Sequence, residues 1–434
     1  MLEIEILVFV AIILAYGLLS RRLELSSITP QMVFVAMGMF LGAGTFGLID
    51  LRVENEVFLL VGEAALALTL FTDATRIDIA SLRENESLPT RLLSMGMPLT
   101  IAAGTAIAAL MFTDLTLFEA AIIGTVLSPT DAGLGQALVN NPHVPTRIRQ
   151  ALNVESGLND GIATPILFMF IALAEAEENT AGGGFWVSYA LKELGLGALV
   201  GLAVGIIGGW LVGQAIHRKL MTRTFQWLTF PALALIAWLL AALVEGNGFI
   251  AAFTAGLAIA WVTGSLIKEQ LKESVVTFSE TGGQLLDFIV FFIFGAIVVN
   301  ELGLLDWRTV LYAGLSLTVI RMLPVALSLI GSRLHRGTIL FMGWFGPRGL
   351  ASIVLGTIVL QESPALAGLE RIQDVVMVTV VMSVFAHGIS TTPFVKLYLS
   401  RIAGLDAKAP ERKKVKQHPT RTIATPNLRN HPSG

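Results

Sequence analysis

The sequence predicts an all-α polytopic membrane protein of about thirteen transmembrane helices, and three observations carry that prediction. Of 434 residues, 54% are hydrophobic and 14% charged, and the mean hydropathy is +0.74. A soluble fold needs less apolar material than this, and so few charges leave a water-facing surface prone to aggregate. Second, the apolar residues are gathered into stretches of the roughly 20 residues that cross about 30 Å of hydrocarbon. Third, lysine and arginine fall on alternate connections between those stretches, the bias that orients membrane helices.

The stretches run approximately over residues 2–19, 31–50, 56–75, 92–112, 118–139, 151–174, 190–215, 225–244, 248–263, 281–300, 308–330, 338–360 and 373–398. The first is unlike a secretory signal, because Glu3 and Glu5 precede it and Arg21 and Arg22 follow it. It reads as a retained helix. One set of alternate connections, from Arg21 and Arg22 through Arg147 and Arg149 to Arg333 and Arg336, holds 23 of the 29 basic residues once the C-terminal tail is included. The opposite set has Arg52, Lys192, Arg308 and Arg371, with the acidic run Glu175, Glu177 and Glu178. That asymmetry fits an odd number of spans, with the N-terminus outside and the C-terminus cytoplasmic.

Residues 1–400 therefore read as one transmembrane domain. Residues 401–434, basic and interrupted by Pro410, Pro419 and Pro426, read as a short disordered cytoplasmic tail that helps fix orientation. The chain has no cysteine, which excludes disulfides, thiolate metal sites and cysteine nucleophiles. A net charge of −3 excludes a polybasic nucleic-acid binder. Membrane lipid is the expected solvent and partner.

Ionisable groups in hydrocarbon are costly and mark candidate functional sites. The densest group lies in spans five and six, over Ser128-Pro129-Thr130-Asp131 and Asn153-Val154-Glu155-Ser156-Gly157-Leu158-Asn159-Asp160-Gly161. Pro129 lacks an amide donor, and with Gly124, Gly133 and Gly135 nearby it is expected to break span five near mid-membrane. Unwound backbone is tolerated at that depth only against protein or a wet cavity. Asp131 is then expected beside the positive end of a half-helix. In span six, Ser156, Asp160 and Thr164 share one helix face, offering hard oxygens to an alkali cation, while Glu155 and Asn159 share another. A buried carboxylate also takes up protons, so cation and proton are expected to compete for Asp160.

Span twelve is interrupted as well, at Gly343-Trp344-Phe345-Gly346-Pro347-Arg348-Gly349. Spans five and twelve are seven apart. With span seven (about 190–215) as a linker, the chain divides into repeat one (about 1–175) and repeat two (about 225–398), inverted relative to each other, with the two interrupted helices at matching positions. This arrangement points to a transporter whose site lies where those helices cross. Arg321 sits in the middle of span eleven, where it needs a carboxylate, and Glu155 is assigned to it by elimination. Arg348 is placed near Asp131. Asp73, at the end of span three, is either a funnel acid or a helix cap. Glu63, deeper in the same span, is a candidate pathway residue with no identifiable partner. His387 reads as a structural histidine, and Asp287 as either a vestibule acid or an interfacial anchor.

These residues resemble the monovalent cation:proton antiporters, specifically the NhaP-like branch related to eukaryotic sodium/proton exchangers. The resemblance covers about residues 1–400 and rests on Ser128-Pro-Thr-Asp131, Glu155-Ser-Gly-Leu-Asn-Asp-Gly161, Gly246-Asn-Gly-Phe-Ile-Ala-Ala-Phe253 and Gly346-Pro-Arg-Gly349. It implies a homodimer in the cell membrane in which a core domain, carrying the crossed spans, moves like an elevator against a fixed interface domain. It further implies that Asp160 binds the transported Na⁺ and exchanges protons. Ser156 and the Thr130 backbone complete the cation shell in this reading, Asn159 and Asp131 organise it, and Glu155 with Arg321 braces the core. The Asn159-Asp160 pair, where the electrogenic branch has two aspartates, implies electroneutral exchange. Asp73 stands where some relatives carry glutamate, and no long regulatory domain is expected after residue 434.

The function expected is thus secondary antiport of Na⁺, or of Li⁺ or K⁺, against protons, serving cytoplasmic pH and sodium homeostasis. It needs no cofactor and no enzymatic chemistry. A potassium/proton antiporter is the nearest alternative. A cation channel lined by the same acids is a more distant one, disfavoured because both halves carry a proline-broken helix. A membrane hydrolase is more distant still, because the six histidines assemble no catalytic constellation.

Overall fold

The computed structural model describes residues 2–24, 27–47, 56–76, 87–131, 133–134, 141–178, 183–263, 269–301, 306–406 and 408–413. Among these there is helix and turn and no strand. Helix lies on each of the thirteen apolar stretches. The first three are α1 (Leu2–Glu24), α2 (Pro30–Leu41) and α3 (Glu56–Thr75). The fourth comprises α4 (Ser87–Arg91), a π-helical turn (Leu92–Gly96) and α5 (Met97–Met111), and the fifth is α6 (Leu117–Val126). Then come α7 (Thr146–Glu178), α8 (Gly183–His217), α9 (Arg223–Leu243), α10 (Gly248–Thr263) and α11 (Glu269–Glu301). The eleventh stretch divides into α12 (Trp307–Leu317) and α13 (Val319–Ser328), the twelfth into α14 (Arg336–Trp344) and α15 (Leu350–Glu362), and α16 (Leu369–Ile402) is the last. By length and composition, nine helices among the described residues can cross a membrane; α2, α6, α10 and α15 are shorter.

Local chemistry explains the short pieces. α6 opens on a capping box, in which Thr116 Oγ1 accepts from the Glu119 amide at 3.2 Å and Glu119 Oε2 accepts from the Thr116 amide at 2.8 Å. It stops at Val126, ahead of Pro129. Residue 132 and residues 135–139 of span five, Gly135 among them, lie outside the described residues. α14 stops at Trp344 ahead of Pro347, and α15 starts after Gly349. A further break, absent from the sequence reading, falls at Thr318 (φ −116°, ψ −91°) between α12 and α13. Its hydroxyl bonds back to the Gly314 carbonyl at 2.6 Å.

Packing follows from small residues. α8 and α10 approach along Gly197, Gly201 and Gly205, spaced four apart. A Cβ on any of these would strike the backbone of Asn247, Ala251 or Ala255. On the outside, Ile6, Leu7, Val10, Leu14 and Leu18 of α1 are all more than half exposed, the apolar belt that lipid or a partner would cover.

The tail departs from its expected disorder at its start. Residues Pro410–Arg412 form a 3₁₀ turn, and Glu411 is buried. Glu411 Oε1 accepts from the His335 amide at 2.6 Å and from Thr338 Oγ1 at 3.1 Å, at the N-terminus of α14. Arg147, at the start of α7, donates to the Pro410 carbonyl at 2.8 Å. A carboxylate that caps a helix and a carbonyl that meets an arginine dock this polar segment without any apolar periodicity. Residues 414–434 lie outside the described residues.

Candidate ion-binding site

The two interrupted segments meet, and each satisfies the other's unwound backbone. Where α6 ends, its last carbonyls point away from any intrahelical donor. Arg348 Nη1 donates to the Ser128 carbonyl at 2.8 Å and to the Pro129 carbonyl at 3.0 Å, and Ser352 Oγ donates to the Val126 carbonyl at 2.8 Å. A guanidinium at a helix C-terminus opposes the negative end of its dipole. In return, Asp131 Oδ2 accepts from the Leu350 amide at 3.0 Å, placing a carboxylate on the positive end of α15. The Asp131 amide donates to the Pro347 carbonyl at 2.8 Å, and Asp131 Oδ1 accepts from the Gly133 amide at 2.6 Å.

The sequence places Arg348 near Asp131 without fixing its partner. They are neighbours, but the salt bridges among the described residues do not include this pair. Each charge instead serves the main chain of the other's helix. Two glycines make the approach possible: a Cβ on Gly349 would collide with the Asp131 carboxylate, and one on Gly346 would lie 2.5 Å from Arg321 Nε.

Arg321 and Glu155 come together. Arg321 Nη2 lies 2.5 Å from Glu155 Oε1, with both side chains almost wholly buried. A lone charge at that depth is strongly unfavourable, so removing either partner is expected to cost more than the intact pair contributes.

Asp160 lies on the face of α7 that also carries Ser156 and Thr164, and it is 7% exposed. Thr130, in the unwound part of span five, links to this helix twice: its Oγ1 is 3.2 Å from Ser156 Oγ and accepts from Asn159 Nδ2 at 2.7 Å. With its amide nitrogen committed to Thr130, Asn159 keeps a buried Oδ1 that has no hydrogen-bond partner among the described residues. Thr164 turns its hydroxyl onto the Asp160 carbonyl at 2.8 Å, so its hydrogen is engaged within the helix. The structure thus gathers Thr130, Ser156, Asn159 and Asp160 beside the paired breaks, with Asp131 one residue from Thr130.

Two further elements cover the face. A Cβ on Gly157 would lie 3.6 Å from Asp73 Cβ, and one on Gly161 would lie 2.5 Å from the Phe253 ring. Phe253 belongs to the glycine- and alanine-rich run at the start of α10, and its position against Gly161 is not legible from its sequence context. Asp73 also lines a cavity of about 20 Å³ with Thr72, Glu280, Gln284 and Asp287, on the same side as the Arg76–Glu280 ion pair. Glu63 stands apart from Asp73 and has a partner after all, a hydrogen bond from Gln361 of α15.

Comparison with known proteins places this geometry. The family described as "Sodium/hydrogen exchanger, transmembrane" matches residues 7–397, and the chain belongs to it. It is a multi-pass membrane protein. Its sequence is similar to the K(+)/H(+) antiporter NhaP of Alkalimonas amylolytica, 27% identical over 87% of this chain and 64% of that protein. The K(+)/H(+) antiporter NhaP2 of Shewanella oneidensis is 25% identical over 88% of this chain and 64% of its own length. The chain therefore spans just under two thirds of these relatives. The fold is that of the sodium proton antiporter MjNhaP1 from Methanocaldococcus jannaschii, with a TM-score of 0.75, 18% identity, and coverage of 93% of this chain and 99% of that one.

Proposed function

We propose that the protein is a secondary antiporter that exchanges a monovalent cation for protons, with Asp160 as the group that binds one or the other. The observation that carries this reading is a buried carboxylate, Asp160, one helical turn from Ser156, whose hydroxyl lies 3.2 Å from the Thr130 hydroxyl of an unwound segment. In this reading a partly dehydrated alkali cation draws its oxygens from Asp160, Ser156, Thr130 and the free Oδ1 of Asn159. When the cation leaves, burial disfavours the charge of the Asp160 carboxylate, and it takes up a proton. Protonation in turn weakens its attraction for the next cation. That mutual exclusion couples the two flows.

Asp131, Arg348 and the Glu155–Arg321 pair fix the surroundings in this account. With Asn159 neutral, one carboxylate serves the exchange, which gives one proton per cation and no net current. The remaining parts of the reading follow the fold. Thirteen crossings, an outward N-terminus, two inverted repeats with crossed spans five and twelve, a homodimer and an elevator-like movement suit a cell-membrane exchanger serving cytoplasmic pH and sodium balance. Asp73 and its cavity form the cytoplasmic approach. Na⁺ is the leading substrate and K⁺ the second, the latter favoured by the names of the sequence relatives.

The test is pH-jump flux in proteoliposomes with Na⁺, K⁺ and Li⁺ offered separately. Saturable, gradient-coupled counterflow is expected. A linear, uncoupled cation leak would instead indicate a channel. Asn159→Asp is expected to add a current absent from the parent.

A further inference from the structure

We propose that Ser383 and His387 of α16 form a neutral hydrogen-bond relay that sets the shape of the break in span twelve, which makes His387 a positioning residue for the cation site. The inference rests on the antiporter reading above and adds a residue to it. The break leaves Trp344 with the last carbonyl of α14 and Arg348 with an amide that has no helical acceptor. α16 meets both. His387 Nε2 lies 2.9 Å from the Trp344 carbonyl, and Ser383 Oγ accepts from the Arg348 amide at 2.6 Å. The two side chains, one helical turn apart, are joined by the 3.1 Å contact between Ser383 Oγ and His387 Nδ1.

Each ring nitrogen lies within hydrogen-bond distance of a carbonyl, Nε2 of Trp344 and Nδ1 of Ser383, and a carbonyl only accepts. In the relay the single proton of the neutral ring sits on Nε2. Ser383 Oγ has already accepted the Arg348 amide hydrogen, so its own hydrogen is available to Nδ1, which in this tautomer is the bare nitrogen. Every donor then meets an acceptor from the Arg348 amide through Ser383 and His387 to the Trp344 carbonyl. The Ser383 carbonyl, 3.0 Å from the same Nδ1, is the i−4 carbonyl of His387's own helix and lies close because the ring folds back along α16. All of these groups except the Trp344 carbonyl contact are buried, and the histidine itself is 1% exposed.

The relay brackets Phe345, Gly346 and Pro347. The Pro347 carbonyl receives the Asp131 amide, and the Arg348 side chain holds the Ser128 and Pro129 carbonyls. Thr130, the next residue, touches Ser156 and Asn159. Two hydrogen-bonded steps thus connect the imidazole to the cation-facing oxygens. Trp344 is held from its other side by Ser390, whose Oγ accepts from the indole at 2.9 Å.

The experiment compares His387→Phe, His387→Gln, Ser383→Ala and the Ser383→Ala/His387→Phe double variant, full length, in proteoliposomes and in detergent. His387→Phe and Ser383→Ala are each expected to raise the KM for Na⁺ or K⁺ about five- to tenfold, the factor for one lost buried hydrogen bond, with the saturated rate within about twofold. Glutamine, which can still donate to the Trp344 carbonyl, is expected to recover most of the affinity. The double variant should be no worse than the poorer single one, because the two side chains act as a unit. Parental KM in both Ser383→Ala and His387→Gln together with His387→Phe, or additive single effects, would overturn the relay. If His387→Phe fails to fold, Ser383→Ala alone decides: raised KM supports the relay and parental KM overturns it. Cation-dependent thermal stabilisation of the purified protein reports the same affinity without transport. An uncoupled parent would defeat the antiporter reading, whereas unshifted variant affinities would defeat the relay.

Discussion

The α8–α10 contact and the paired breaks of spans five and twelve both depend on glycine, yet they use it for opposite ends. Along α8, glycines four apart remove side chains so that two unbroken helices touch backbone to backbone. At the breaks, Gly349 makes room for the Asp131 carboxylate to reach the Leu350 amide, and Gly346 makes room for the Arg321 guanidinium that pairs with Glu155. In a solvent that offers no hydrogen bonds, unwound backbone persists only where other protein groups satisfy it. At the two breaks those groups include the charges of Arg348 and Asp131. The glycine-packed helices are scaffold.

Substitutions can break this comparison. The largest effect is expected from Arg321→Ala, which strands Glu155 in the core. Loss of one partner of a buried pair costs about 3–5 kcal/mol, to be read as loss of folded protein by thermal denaturation in detergent. Arg321→Ala/Glu155→Gln should recover much of it, since no unpaired charge remains. Next comes Gly201→Val in α8, where overpacking costs about 1–3 kcal/mol. If scaffold and site are distinct, this variant loses thermal stability while the folded fraction keeps the parental cation KM; a raised KM would merge the two regions. Asp131→Ala removes the cap on α15 for about 0.5–2 kcal/mol and, unlike Gly201→Val, is expected to raise the cation KM, because Asp131 anchors the unwound segment that carries Thr130. Glu411→Ala is the smallest. It removes one carboxylate cap from α14, at most about 1 kcal/mol, and should lower the melting temperature slightly with the ion affinity unchanged.

How much of this was legible in the sequence depends on whether a side chain or the main chain does the work. The two breaks are legible because Pro129 and Pro347 cannot continue a helix and glycines flank both. The partnership of Arg321 with Glu155 is legible because a buried arginine in span eleven leaves few carboxylates to choose from. The targets of Arg348 are not, since a backbone carbonyl occurs at every residue and nothing in the sequence marks those of Ser128 and Pro129. The break at Thr318 was missed for a similar reason: no glycine or proline stands at that position, and Gly314 and Pro324 lie several residues away. Glu63 appeared partnerless because Gln361 belongs to the other half of the chain. Glu411 was assigned to a disordered tail because its neighbours are polar and its binding uses a single carboxylate. Ser383 could have been found, since it stands four residues before His387 on the same helix face.

The central claim is that one carboxylate, Asp160, holds either a cation or a proton. It is tested most directly by measuring proton release when Na⁺ or K⁺ is added to the purified protein in weakly buffered detergent solution. The parent is expected to release about one proton per cation bound, and Asp160→Asn, which should remain folded, to release none. Equal release from both proteins would contradict the account.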